Sequence, residues 1–291
     1  MAERIRAIDL CSGAGGWAVA ARAVPIRITH AFDLAPDCCE TYRLNHPKTE
    51  VVCGDLTDPA IRDRVKALAG SVDLVLGGIP RESISVYRNG WNGLRPSDAE
   101  MAGFRRLLDS ILDVVQRLDP RWWCLEDVVG LIGELPPMTP YAVLDAEEWS
   151  GQMRKRVFVG RFPLPPPNRD PRVLADYLRP GPYRVGPRLH GRTPVTSSAF
   201  TAGNCRRVDP ACKAPCIAGW ISSRRDGECG IMDDQVPGRK RQLEWQEAAL
   251  AQGFPADYLF YGSPTRVAKM IGQAIQIDLG RAILKAICNA I

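Results

Sequence analysis

No stretch of this 291-residue chain is apolar for long enough to cross a bilayer. The first ten residues, with a basic group on each side of Ile5, hold no apolar run of signal-peptide length. Membrane insertion and export are both disfavoured, and the cytoplasm is the expected compartment. Internal repeats and low-complexity tracts are missing, which excludes solenoids and fibrous arrays. An extreme net charge is missing too, since the total is only +5. Ten cysteines would suit a disulfide scaffold only in a much shorter secreted chain, so reduced thiols or metal ligands are expected. What remains is a globular composition, 45% hydrophobic, sufficient for one large α/β domain and a smaller appendage.

The charge is unevenly spread. From Arg169 to Arg241 there are fourteen Lys and Arg against seven Asp and Glu, so this segment carries +7 and the remainder −2. A polyanion partner and an ordinary solvated basic surface both fit that pattern.

Over residues 1–160 strand and helix patterns alternate as in a parallel sheet with crossover helices. Strands are predicted at Ile5–Leu10, Arg27–Phe32, Val72–Leu76 and Trp122–Leu125. Met101, Phe104, Leu108, Ile111, Leu112, Val115 and Leu118 recur at helical spacing, with Ser97 and Glu100 forming a capping box ahead of them. Pro163-Leu164-Pro165-Pro166-Pro167 can continue neither a helix nor a central strand, and proline and glycine stay frequent to about Gly238. A second, irregular unit is expected there. The apolar helical pattern returns from Gln242, with Val267, Ile271, Ile275 and Ile283 predicted to pack back on the sheet. The expected domains are 1–162, 163–241 and a returning segment 242–291.

Asp9-Leu10-Cys11-Ser12-Gly13-Ala14-Gly15-Gly16-Trp17 puts a glycine-rich turn directly after the first strand, where backbone can approach a ligand closely. Gly13, Gly15 and Ala18 satisfy the dinucleotide pattern G-x-G-x-x-G/A, so a nicotinamide enzyme competes at this point. Asp33 follows the second strand where a ribose hydroxyl would need an acceptor, and both cofactor classes carry a ribose.

The order of further motifs separates them. Asp9 to Trp17, Asp33 to Asn45 (with Tyr42 and Asn45 in register) and Gly54-Asp55-Leu56 resemble the first three motifs of the DNA (cytosine-5)-methyltransferases. Trp123-Cys124-Leu125-Glu126-Asp127-Val128 resembles that family's Glu-Asn-Val motif, with Asp127 for the usual Asn, and Gln152-Met153-Arg154-Lys155-Arg156 its Gln-x-Arg-x-Arg motif. Glu247 to Pro255 and Gly272-Gln273-Ala274-Ile275 are similar to the last two, with Gln273 for an Asn. The resemblance covers residues 4–160 and about 242–288. It leaves the basic segment where the family keeps its target-recognition domain.

That resemblance implies a Rossmann-like class I methyltransferase sheet with a small, irregular target-recognition domain. It implies S-adenosylmethionine or S-adenosylhomocysteine as the cofactor, and double-stranded DNA as the partner of a monomer. Asp9, Cys11, Gly13, Gly15, Gly16, Trp17, Leu34, Leu56, Gly78, Pro80 and Gln273 would surround the cofactor. Asp33 would hold its ribose and Asp55 its adenine amino group. Catalysis would need a flipped cytosine, with Glu126 at N3, Arg156 at O2 and Arg154 beside it. The nucleophile loop departs from the family: its Pro-Cys-Gln core is here Pro80-Arg81-Glu82. A guanidinium stays protonated and cannot add to C6 of cytosine, so the standard first step is missing. An inactivated enzyme, a DNA-binding pseudoenzyme and an enzyme with relocated or altered alkyl transfer all remain open. Cys205, Cys212, Cys216 and Cys229, spaced C-x6-C-x3-C-x12-C, could hold zinc or be ordinary buried thiols. Their spacing lacks the C-x2-C pairs of zinc ribbons.

Overall fold

The computed structural model describes residues 4–80, 97–178, 213–214, 216–217, 231–232, 240–241 and 244–290. Seven strands form one sheet: β1 (Ile5–Leu10), β2 (Ile26–Asp33), β3 (Glu50–Cys53), β4 (Leu74–Gly78), β5 (Trp122–Asp127), β6 (Tyr141–Asp145) and β7 (Lys155–Val159). Their order is β3-β2-β1-β4-β5-β7-β6. β3, β2, β1, β4 and β5 run parallel, and β7 lies antiparallel to both β5 and β6. A separate two-stranded pair joins β8 (Ile231–Met232) to β9 (Lys240–Arg241).

The helices are α1 (Gly16–Ala21), α2 (Pro36–Asn45), α3 (Pro59–Lys66), α4 (Asp98–Leu118), α5 (Trp245–Gln252), α6 (Pro264–Gln273) and α7 (Ile277–Asn289). They cover both faces of the sheet, because buried parallel strands present apolar side chains to each side. Ala7, Leu74, Leu76, Cys124 and Phe158 pack with α1, α2, α6 and α7, where Trp17, Tyr42, Ile271, Ile283 and Leu284 are buried. Ile8, Leu10, Val75, Leu125 and Val157 point the other way, into Val65 of α3 and Phe104, Leu108, Ile111 and Val115 of α4.

The expected α/β class and the four predicted strands are present, with moved boundaries: β2 runs Ile26–Asp33, β4 begins at Leu74 rather than Val72 and runs to Gly78, and β5 extends to Asp127. Asp73, just before β4, still bonds to both neighbours through its backbone, donating to Arg6 O and accepting from Trp122 N, while backbone and side-chain nitrogens of Arg6 donate to its carboxylate. The predicted capping box also forms: Ser97 Oγ accepts from the Glu100 amide at 3.3 Å, and the Ser97 amide donates to the Glu100 carboxylate at 2.9 Å. Such a cap stabilises a helix start by roughly 1 kcal/mol. Ile275 packs as predicted but from the turn between α6 and α7. Residues 170–178 stay attached to the sheet body. Leu174 and Tyr177 are buried, Tyr177 accepts from the Gly151 amide, and Arg172 bridges Asp170 and Asp278. Among the described residues no helix is long and apolar enough to cross a membrane.

Candidate active site

The strand order reverses between β1 and β4, and ligands of such sheets bind beyond the carboxyl ends of the strands at that point. Cys11–Gly15, Asp33–Leu34, Gly54–Asp55, Gly78–Pro80 and Glu126–Asp127 all fall at this edge.

The glycine turn is built on left-handed backbone. Cys11, Gly13 and Gly15 have φ of 50°, 53° and 85°. The Ser12 amide donates to Phe32 O and the Gly15 amide to Ser12 O, which folds the turn back over β2. A methyl group built on Gly13 would meet nothing within 4 Å, so this part of the turn faces open space. The two glycines that follow have other reasons: a methyl on Gly15 would lie 2.9 Å from the Tyr258 hydroxyl, and one on Gly16 2.9 Å from Ile275. Asp33 holds the turn from the side, one carboxylate oxygen accepting from the Gly13 amide at 2.7 Å and the other from Ala35 at 2.8 Å. Each oxygen keeps a further acceptor site. Burial raises the Asp33 pKa against these two bonds. Leu34, 65% exposed, adds an apolar surface beside it, and Asp55 is exposed at the end of β3.

Several residues expected around the cofactor lie beneath the glycine turn, not at the crevice surface. Asp9 is fully buried and accepts weakly from Tyr42, with its other oxygen unpartnered; burial pushes its carboxyl well above the usual range. Trp17 is buried and donates its indole N–H to Gly77 O, bridging the β1–β4 divide, while Leu56 belongs to the α3–α4 core. Gly78 is half-buried, and Pro80 and Gln273 are exposed at the rim. The sequence reading did not identify His46 and Tyr258. The Tyr258 hydroxyl donates to Ala14 O and pairs with His46 Nε2 at 3.1 Å, so the C-terminal segment braces the turn. A polar aromatic and a histidine flanking the family-like motifs were the available signal, but nothing local joins positions 46 and 258.

On the base side, β5 and β7 pair Glu126 with Phe158, which puts Arg156 diagonally beside Glu126 on the same face. Arg156 Nε lies 3.1 Å from Glu126 Oε1, and both side chains are largely buried. Glu126 O accepts from Ile79 N, tying the chain that leads to Pro80 against this pair. Arg81 lies outside the described residues. Arg154, on the same face, goes elsewhere: 2% exposed, it donates to the carbonyls of Ile217, Gly272 and Ala274 at 2.8–3.0 Å. The Cys216 sulfur lies 3.6 Å from Arg154 Nη1 and 3.5 Å from Arg156 Nη2. Burial raises the Cys216 pKa, but the two guanidiniums outweigh it and the net direction is down.

Two cations at that distance make a poor setting for Zn²⁺. Among the described residues no group of His, Cys, Asp or Glu could hold a metal. Cys205, Cys212 and Cys229 lie outside the described residues. The other thiols near the crevice are poor nucleophiles. Burial and the carboxylates of Asp33, Asp9 and Asp55 push Cys11 well up, and burial and Glu126 do the same to the enclosed Cys124.

The family model described as C-5 cytosine-specific DNA methylase matches residues 5–136 and 194–289. Type II methyltransferase M.AquIA of Picosynechococcus is 34% identical over 43% of this chain, and the match spans about half, 49%, of that protein. Type II methyltransferase M.NgoMIV of Neisseria gonorrhoeae is 24% identical over 96% of this chain and 97% of its own. The crystal structure of S. pombe Dnmt2 methyltransferase superposes with a TM-score of 0.66 at 17% identity, covering 99% of both chains, which shows a shared fold.

Proposed function

This chain belongs to the C-5 cytosine-specific DNA methylase family, and from that premise we propose that it binds S-adenosylmethionine and holds a cytosine flipped from DNA against Glu126 and Arg156. The observation that carries this reading is the buried Glu126–Arg156 pair, set at the end of β5 beside the same crevice as the glycine turn. A carboxyl and a guanidinium on one face of the sheet, from neighbouring strands, offer a donor to N3 and a donor to O2 of a cytosine edge, the pair of contacts that distinguishes this base.

The crevice residues fit the cofactor. Open space at Gly13 admits close backbone approach, Asp33 has acceptor capacity for ribose hydroxyls, Leu34 offers an apolar surface and Asp55 an exposed carboxylate for an amino group. When bound, the sulfonium supplies an electrophilic methyl group. The chain's own residues must make C5 nucleophilic, which takes addition at C6 while Glu126 moves a proton to N3. Arg81 stands at the position that the family gives to the adding thiol, and the pKa values of Cys11 and Cys124 are driven the wrong way for a replacement. The protein therefore binds cofactor and DNA without standard transfer to C5. The basic segment within 163–241 is assigned to target recognition, contacting phosphates of double-stranded DNA as a cytoplasmic monomer.

Incubation of the protein and of Arg81→Cys with unmethylated DNA and labelled cofactor, followed by nucleoside mass spectrometry, tests the reading. Label at C5 from the cysteine variant alone is expected. Label from the Arg81 protein would show relocated or altered chemistry. Silence from both with DNA binding intact would favour a pseudoenzyme whose site has drifted further, at Glu82, Asp127 or Gln273.

A further inference from the structure

The two halves of the crevice are joined by an unbroken run of polar contacts. Glu126 Oε1 meets Arg156 Nε at 3.1 Å, and Arg156 Nη2 meets the Cys216 sulfur at 3.5 Å. The same sulfur meets Arg154 Nη1 at 3.6 Å, and Arg154 Nη2 donates to Gly272 O and Ala274 O at 3.0 and 2.9 Å. Those two carbonyls flank Gln273, at the cofactor rim. Gln252 donates to the Ala274 carbonyl as well and accepts from Gln152, so the turn is gripped from two sides. Arg154 Nη1 also donates to Ile217 O, and the Met153 amide donates to Ala214 O, so Ala214 and Ile217 of the basic segment are fixed to the same node.

A guanidinium whose donors are committed to backbone carbonyls of two distant segments cannot shift without releasing one of them and leaving a buried carbonyl unpaired. Displacement of the 272–274 turn is thus felt at Arg154, and through the sulfur at the Arg156 guanidinium that meets Glu126. Arg154, just before β7, and Arg156, within it, both reach the Cys216 sulfur, so their like charges lie close together. The sulfur between them is the acceptor that lets both guanidiniums point inward.

Resting on the function proposed above, we infer that Cys216 and Arg154 are positioning residues that couple cofactor binding at the Gln273 turn to base binding at Glu126 and Arg156. Neither is assigned contact with cofactor or DNA. Coupling is a reciprocal quantity: the factor by which one ligand tightens the other is the same in both directions.

The experiment measures S-adenosylhomocysteine affinity by calorimetry with and without sheared, unmethylated genomic DNA duplex, and DNA affinity with and without S-adenosylhomocysteine. It uses the full chain and the variants Cys216→Ala, Cys216→Ser and Arg154→Lys. The full chain should show each ligand tightening the other by about fivefold or more, the lower end of usual couplings. Cys216→Ala should bring that factor close to one while leaving each ligand's separate affinity within about threefold, and Cys216→Ser, whose hydroxyl can still accept, should retain part of it. Arg154→Lys, a point donor that cannot span three carbonyls, should also uncouple the ligands. If it fails to fold, the small Cys216→Ala change still decides. A merely structural role would lower thermal stability and both affinities together with the coupling factor intact, and that result overturns the inference. So does a full chain that binds both ligands with a factor of one. A full chain that binds neither ligand overturns the function proposed above, and the inference with it.

Discussion

Three glycines at and just after the turn, Gly13, Gly15 and Gly16, should respond differently to the same one-carbon perturbation, because the structure holds each for a different reason. At Gly13, φ is 53° and an added methyl meets nothing within 4 Å. Gly13→Ala should therefore lose only the left-handed backbone penalty, about 1–2 kcal/mol. At Gly15, φ is 85° and the methyl would lie 2.9 Å from the Tyr258 hydroxyl and 3.2 Å from His46 and Tyr42. The same penalty is joined there by overpacking of about 1–3 kcal/mol. Gly16 is helical, so Gly16→Ala keeps only the overpacking against Ile275. Thermal unfolding should rank Gly15→Ala as most damaging, each kcal/mol lowering the midpoint by roughly 2–4 °C in a chain of this class. Cofactor affinity should rank otherwise. Gly13→Ala occupies the space that the ligand backbone approach needs, so its S-adenosylhomocysteine affinity, read by calorimetry, should fall tenfold or more with little loss of stability. Wild-type affinity in Gly13→Ala would refute the assignment of the turn to the cofactor. Stability as low as that of Gly15→Ala would refute the packing account.

Burial, and secondarily Arg22, pulls the His46 pKa down to about 4, so the fold favours its neutral form. The unfolded chain takes up that proton near pH 6.5, so stability should be full above this value and fall as pH drops toward 4, by at most about 3 kcal/mol. Urea midpoints at pH 7 and 5.5 should differ less in His46→Gln than in the parent; equal slopes would refute the assignment. Asp37 and Arg266 join α2 to α6 by a bidentate pair at 2.5 and 3.0 Å, which outweighs burial and lowers the Asp37 pKa. Its contribution is present above the ordinary carboxylate range and lost as pH falls through the lowered value. Since Arg266 is about half exposed, Asp37→Asn should cost no more than ~1 kcal/mol at pH 7, and less in high salt, measured by thermal unfolding. DNA affinity should fall steeply as salt rises, through counterion release by the basic segment; a flat salt dependence in a binding titration would remove that segment from the interface.

The alternation of Ile5 to Leu10, the glycine turn behind it, the Ser97–Glu100 cap and the 98–118 stripe are local patterns, and each could be read because it depends on neighbours within a few residues. The Glu126 and Arg156 motifs were legible as local patterns near the end of one strand and the start of another, but that they share a face is set by the antiparallel register that pairs Glu126 with Phe158. By itself the sequence thus determined the α/β class, the edge at which the site forms and the absence of a thiol at position 81. It could not separate Arg154, just before β7, from Arg156 within it, since the two have the same parity. Only the closing of the 272–274 turn and of Ile217 over one of them makes Arg154 a buried clamp and leaves Arg156 for the acid. Nor could it tell that Trp17 and Leu56 are core, that Asp9 is sealed beneath the turn, or that Tyr258 reaches across to Ala14. Those roles depend on contacts between positions more than a hundred residues apart, or on which side of the sheet a helix covers, and both are decided when the chain packs.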